Sequence, residues 1–210
     1  NGTVDRADSS SMEGTGRRYL ALWFPFLPLD RLRIARPDRW AQGDGPRAMV
    51  DSVRGAMRLA CPDEDALSLG LSAGMALADA RAQEPGLAVF EVDPHADQDW
   101  LERLCDGCGR YTPVVALDGP AGLMLDISGC AHLWGGEAPL ANAVTDRLAR
   151  HGMRARHALA NTAEAAHALA RYPAAPAPDE DAAIRRLPVE PLGLEADSTL
   201  ALRRAGLRHI

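Results

Sequence analysis

The sequence predicts a mixed α/β fold of the α+β kind, built on a split β-α-β sheet, and three observations carry that prediction. A short apolar run, Tyr19–Phe24 (YLALWF), reads as a buried strand. Residues 93–172 then follow the order helix, strand, strand, helix, strand, helix, which after an initial strand is the split β-α-β succession. The 210 residues are 47% hydrophobic and 25% charged, an ordinary globular composition with enough apolar material for a core.

Taken in order, residues 1–16 (NGTVDRADSSSMEGTG) lack apolar periodicity and are expected to form a disordered leader. Pro25 and Pro28 end the first strand. Leu29–Arg36 suits a short helix before Pro37, and residues 41–46 are a turn-rich link. Arg47–Val50 and Val53–Ala60 read as two short strands, Leu67–Ala82 as a helical pattern interrupted at Gly74, and Leu87–Val92 as another strand. Asp97–Gly109 has helical spacing, with Trp100, Leu101, Leu104 and Cys108 on one side. Val114–Asp118 and Gly122–Ser128 are strands around a Gly-Pro turn. Pro139–His151 is an amphipathic helix stopped by Gly152, Arg154–Ala160 a strand, and Thr162–Tyr172 an alanine-rich helix. Pro173–Pro178 reads as an extended linker, and Ile184–Ile210 begins a new helical unit around Leu187, Leu192, Leu200, Leu202 and Leu207. With the chain starting at Asn1 and stopping inside a patterned segment, it reads as a piece of a longer protein.

Composition narrows the function classes. No apolar run reaches the roughly 20 residues needed to span a bilayer, and no secretion signal opens the chain, so a cytoplasmic location is expected. The net charge is −6, whereas a surface that grips DNA alone is usually strongly basic. All 23 basic residues are arginine, which reads as coding bias. The local group Arg147, Arg150, Arg154 and Arg156 could still touch a phosphate backbone. Cys61, Cys105, Cys108 and Cys130 are expected to stay reduced in a cytosolic protein. Cys105, Cys108, Cys130 and His132 could supply four zinc ligands. The two helical cysteines, however, suit burial better than a zinc knuckle, and no metal or cofactor is expected.

Four stretches, in order, resemble one family. Gly70–Ala80 (GLSAGMALADA), Tyr111–Gly129 (YTPVVALDGPAGLMLDISG), Arg156–Arg171 (RHALANTAEAAHALAR) and Leu187–Ile210 are similar to the fingers, palm and early thumb of the Y-family DNA polymerases. The resemblance implies a ferredoxin-like palm over residues 17–36 and 92–172, small inserted fingers over 37–91, a linker over 173–183, and the truncated start of a helix-hairpin-helix-like thumb over 184–210.

The family's functional residues do not carry over. Nucleotidyl transfer uses metal ions held by carboxylates. The family's S-I-D-E-A stretch supplies an Asp-Glu pair where this chain has Ala121 and Gly122. The acid at the end of the first strand falls near Trp23 and Phe24, and no acid lies between Arg17 and Leu29. The family's triphosphate-gripping residues fall on Glu64, Leu67, Thr162 and Ala166. Asp118 and Asp126 stand at odd offsets from Ala121, so strand alternation directs them to the opposite face. Asp126 is expected to be structural. Trp23, Phe24 and Phe26 are expected to fill the space of the missing metal site, and Gly135-Gly136 to turn before Glu137 at a helix N-terminus.

The segments Leu77–Ala82 (LADARA) and Ala131–Glu137 (AHLWGGE) narrow the resemblance to the ImuB-like branch, the polymerase-like subunits of the bacterial mutasome. That branch implies a non-catalytic scaffold in translesion synthesis and SOS mutagenesis. Its partners are the sliding clamp, a RecA-like ImuA protein and an error-prone DnaE-type polymerase, engaged mainly through regions beyond residue 210. Two alternatives remain open from the sequence: a residual DNA-directed DNA polymerase with displaced acids, and a module that recognises primer-template DNA.

Overall fold

The computed structural model describes residues 16–41, 45–172, 177–190, 200–201, 203–206 and 209–210. Residues 1–15 of the expected 1–16 leader, most of the 173–178 linker, and Leu192, Leu202 and Leu207 lie outside the described residues.

Two sheets organise the chain. The larger is antiparallel, in the order β5-β6-β1-β7, with β1 Tyr19–Trp23, β5 Val115–Leu117, β6 Gly122–Asp126 and β7 Arg156–Ala160. The smaller has the order β3-β2-β4, with β2 Arg47–Val53, β3 Ala56–Pro62 and β4 Ala88–Glu91. Strand β2 pairs antiparallel with β3 and parallel with β4.

The apolar run of β1 is explained by cover on both faces. Leu20 and Leu22, with Leu123 and Leu125 of β6, pack into one core with α5 (Pro94–Cys108) and α6 (Glu137–Arg150). Tyr19, Ala21 and Trp23 meet α7 (Ala163–Arg171) on the reverse face. Ala165, Ala166 and Ala170 of α7 pack against Ala21 and Ala160, so small side chains set a close helix-to-sheet approach. This is the expected split β-α-β sheet, with α5 and α6 on one face and α7 on the other.

Helix ends follow local chemistry. Asp93 caps α5 through Ala96 N–H at 3.0 Å, and Thr162 caps α7 through Ala165 N–H at 3.1 Å. Asp93 and Pro94 therefore start α5 three residues earlier than the periodicity suggests. Gly135 and Gly136 take positive φ before Glu137 opens α6, as the Gly-Gly turn predicts. Helix α1 (Leu27–Ala35) contains Pro28 in its first turn, where the missing N–H costs nothing, so Pro28 begins this helix and does not merely end the strand.

Two expectations for 47–83 need correction. The strands run further than predicted and turn at Arg54-Gly55, with φ of 52° and 78°. Asp51–Val53 is the exposed half of β2, and the polar Asp51 and Ser52 hid the strand's continuation. The single interrupted helix is instead α3 (Glu64–Ser68) and α4 (Leu77–Gln83). Gly70 and Gly74 both take left-handed φ, and the segment between the helices is pinned to β3 by Leu59 N–H to Met75 O at 2.9 Å and Gly74 N–H to Leu59 O at 2.7 Å. Helix α2 (Pro37–Trp40) stacks Trp40 on Phe90.

The expected link at 173–183 also contains a helix. Asp179 caps α8 (Glu180–Arg185), Ile184 packs partly buried against the α7 layer, and Leu187 and Val189 are buried.

Candidate functional site at the ends of strands β1 and β6

The register of β1 against β6 places Trp23 opposite Gly122, and Phe24 N–H donates to Ala121 O at 2.9 Å. The four positions where the resemblance puts metal-binding acids therefore meet at one corner of the sheet. None of the four side chains has an oxygen to offer a divalent cation. Phe24 is buried in the α5–α6 core, while Trp23 is half-buried on the α7 side, with the Arg156 guanidinium 5.2 Å from its ring centroid.

A cation from α7 occupies the corner. A Cβ at residue 122 would meet Arg171 Nη2 at 2.5 Å, Asp118 O at 2.6 Å and Leu22 O at 3.1 Å. Glycine is thus required for close approach, and the guanidinium lies where a side chain at 122 would begin. Arg171 is fixed there by Nη1 to Asp118 Oδ2 at 2.8 Å and Nη2 to Asp118 O at 2.7 Å. His167 Nδ1 lies 2.7 Å from Asp118 Oδ1. The corner does not fit a divalent metal, because a guanidinium stands where carboxylate ligands would have to be.

Asp118 and Ala121 lie on opposite faces, as expected, since Ala121 packs against the α5–α6 core and Asp118 meets α7, but strand alternation is not the reason. Strand β5 ends at Leu117 and a 3-10 turn covers 119–121, so the period of two does not apply between 118 and 121. The Asp118 carboxylate lies on the α7 side, beside Gly122, engaged by Arg171 and His167. Asp126 ends β6, where Oδ1 accepts from Ser128 N–H at 2.9 Å and its carbonyl accepts from Thr112 Oγ1 at 2.5 Å. That is a structural role.

The triphosphate positions are dispersed. Glu64 opens α3 and pairs with Arg154 Nη1 at 3.2 Å, so it links the smaller sheet's layer to β7. Arg154 also binds the fully buried Asp30 of α1, through Nη2 at 2.8 Å and its backbone N–H at 2.9 Å. Leu67 faces a 370 Å³ hollow with Trp23, Phe26, Cys61 and Arg156. Burial pushes the Cys61 thiol up to about 12, leaving it un-ionised at neutral pH. Thr162 serves as the α7 cap, and Ala166 is wholly buried against Ala21 and Ala160.

Among the described residues no group of three or more His, Cys, Asp or Glu is placed to hold a metal. Cys105 and Cys108 lie on α5, and burial raises both thiols, Cys108 to about 11. Sequence reasoning missed Arg171, His167 and Asp30. The four-residue spacing of His167 and Arg171 marks one face of α7, but which strand that face meets depends on register.

No family profile matches the chain. It is 47% identical over 146 residues to Protein ImuB from two strains of Caulobacter vibrioides, a match covering 68% of this chain and 32% of the relatives. The chain thus spans about a third of the length of those relatives. Solved structures with the same fold include DinB from Sulfolobus solfataricus, with a TM-score of 0.71 and 14% identity. The insertion ternary complex of Dbh DNA polymerase gives a TM-score of 0.72, also at 14% identity. Both cover 91% of this chain and 58% of the solved one. The chain is a homologue of Protein ImuB and has the fold of a Y-family DNA polymerase.

Proposed function

We propose that this chain is the polymerase-shaped part of a non-catalytic scaffold in cytoplasmic DNA-damage tolerance. In this reading it bridges a sliding clamp, a RecA-like ImuA protein and an error-prone DnaE-type polymerase, and the last performs the synthesis. One observation carries the reading. At the strand-end corner where two-metal phosphoryl transfer needs acids, Trp23, Phe24, Ala121 and Gly122 meet, and the Arg171 guanidinium lies against Gly122. A fixed cation there disfavours a second one, because like charges at close range repel. Glu64, at a position where the resemblance implies a triphosphate contact, is an acid paired with Arg154.

The reading of a residual polymerase has one observation in its favour, since Asp118 lies beside Gly122. Its carboxylate is already committed to Arg171 and His167, so recruiting a metal would first break both contacts. The scaffold reading is tested by pull-down of the intact protein and of residues 1–210 with purified clamp, RecA-like and DnaE-type proteins. Retention of at least two partners together by the intact protein is expected. Failure to hold any two at once contradicts the bridging role.

A further inference from the structure

We propose that the groove between α5 and α6 is a docking site for an acidic, amphipathic segment of a partner protein. The groove is about 270 Å³, and its apolar lining comes from Trp100, Leu104, Tyr111, Val144 and Leu148. It is already formed: Tyr111 Oη donates to Ala143 O at 3.2 Å, and Trp100 Nε1 donates to Met153 Sδ at 3.4 Å. A fixed apolar wall loses little side-chain freedom when a partner seats on it.

The rim selects the charge of the occupant. Arg103, Arg147 and His151 stand around the mouth, and no carboxylate lines the groove. Arg103 lies 5.5 Å over the Trp100 ring, and neither Arg103 nor Arg147 has a carboxylate partner among the described residues. The chain as a whole carries −6, so a groove mouth rimmed by Arg103, Arg147 and His151 is a local departure from its net charge. Cys108, which also lines the groove, is kept as a neutral thiol by burial, its ionisation raised to about 11.

The location suits an adaptor. Helices α5 and α6 cover the sheet face bearing Leu20, Leu22 and Leu123, whereas Gly122 and Arg171 lie on the other face. A segment in this groove leaves the strand-end corner uncovered. Apolar anchors inside a charged rim are the pattern of helix-in-groove recognition.

Gly107 provides a blocking variant. It lines the groove, and a Cβ built on it has no heavy atom within 4 Å. Gly107→Trp therefore sets a bulky side chain at the groove wall from a Cβ position that is open, in a helix where replacing glycine favours the fold.

The test is fluorescence anisotropy with a labelled peptide of roughly 15 residues. It carries Leu and Phe at i, i+3, i+4 and i+7 spacing and Asp or Glu elsewhere. Saturable micromolar binding to the wild-type chain is expected. Arg103→Glu/Arg147→Glu should weaken it about tenfold, and Gly107→Trp should abolish it with the circular dichroism spectrum unchanged. A counterpart with Lys in place of the acids should not bind. Absence of saturation at ~1 mM peptide, equal affinity for Gly107→Trp, or equal binding of the Lys peptide overturns the proposal. So does a concentration-dependent dimer that Gly107→Trp abolishes and the acidic peptide does not compete, because the groove then belongs to a second copy.

Discussion

Gly122 is the residue on which the strand-end corner depends. Its missing side chain lets Arg171 Nη2 and two carbonyls converge where a Cβ would stand. Gly122→Ala should cost about 1–3 kcal/mol, the range for inserting a methyl into a filled space, measured by urea unfolding. Arg171→Ala in the same background should recover part of that loss, since Asp118 O and Leu22 O still crowd the methyl. Full additivity of the two changes would show that Arg171 is not packed there. Asp30 is the second residue of consequence, with Arg33 Nη2 at 3.1 Å and three contacts from Arg154 on one buried carboxylate. Asp30→Ala should destabilise by about 2–3 kcal/mol, because the Arg154 backbone N–H and two guanidinium groups lose their acceptor. The absence of acids at 23, 24, 121 and 122 was legible in the sequence. The cation that replaces them was not, because Arg171 is fifty residues from Ala121 and only the β1–β6–α7 packing joins them.

At the scale of elements, Arg18 ties together β1, α6 and α8. It donates to Glu137 at 2.7 Å and 2.8 Å, to Asn161 Oδ1 at 2.9 Å and to Glu180 at 3.3 Å. Its hydrogen bonds hold the Glu137 carboxyl below the usual carboxylate range. A depressed carboxylate stabilises the fold above its unfolded value, and that gain is lost as pH falls through the folded value. Arg18→Ala should therefore lower the melting temperature at pH 7, with the gap to wild type narrowing below about pH 4. The pair is partly exposed, so the effect is modest and should shrink in high salt. The β2–β3 turn gives an opposite case. Arg54 holds a φ of 52° that asparagine or glycine adopts with less strain. Arg54→Asn should stabilise by about 0.5–1 kcal/mol, read as a rise in melting temperature. Strongly periodic elements such as α5, α6 and β1 were legible from their patterns. The exposed end of β2, the two helices around Gly70 and Gly74, and α8 were not. Their boundaries rest on turn geometry and capping by Asp63 and Asp179, which periodicity does not report.

For the molecule as a whole, the fold and the chemistry of a polymerase are separable. The sheet order β5-β6-β1-β7 is stabilised by the apolar residues Leu20, Leu22, Leu123 and Leu125, so the shape does not depend on acids at 23, 24, 121 or 122. The proposed scaffold role follows from that separation, with contacts retained and synthesis delegated. It also bears on DNA, since a net charge of −6 leaves little general attraction to phosphates. Residues 1–210 should bind a primer-template duplex only weakly, and the binding should vanish as salt rises. The measurement that bears most directly on the central claim is primer extension by the intact protein with Mg²⁺ or Mn²⁺ and all four deoxynucleotides. The account predicts no template-dependent incorporation. Incorporation that Asp118→Ala abolishes would contradict it, because it would show that a displaced acid holds the metal beside Arg171.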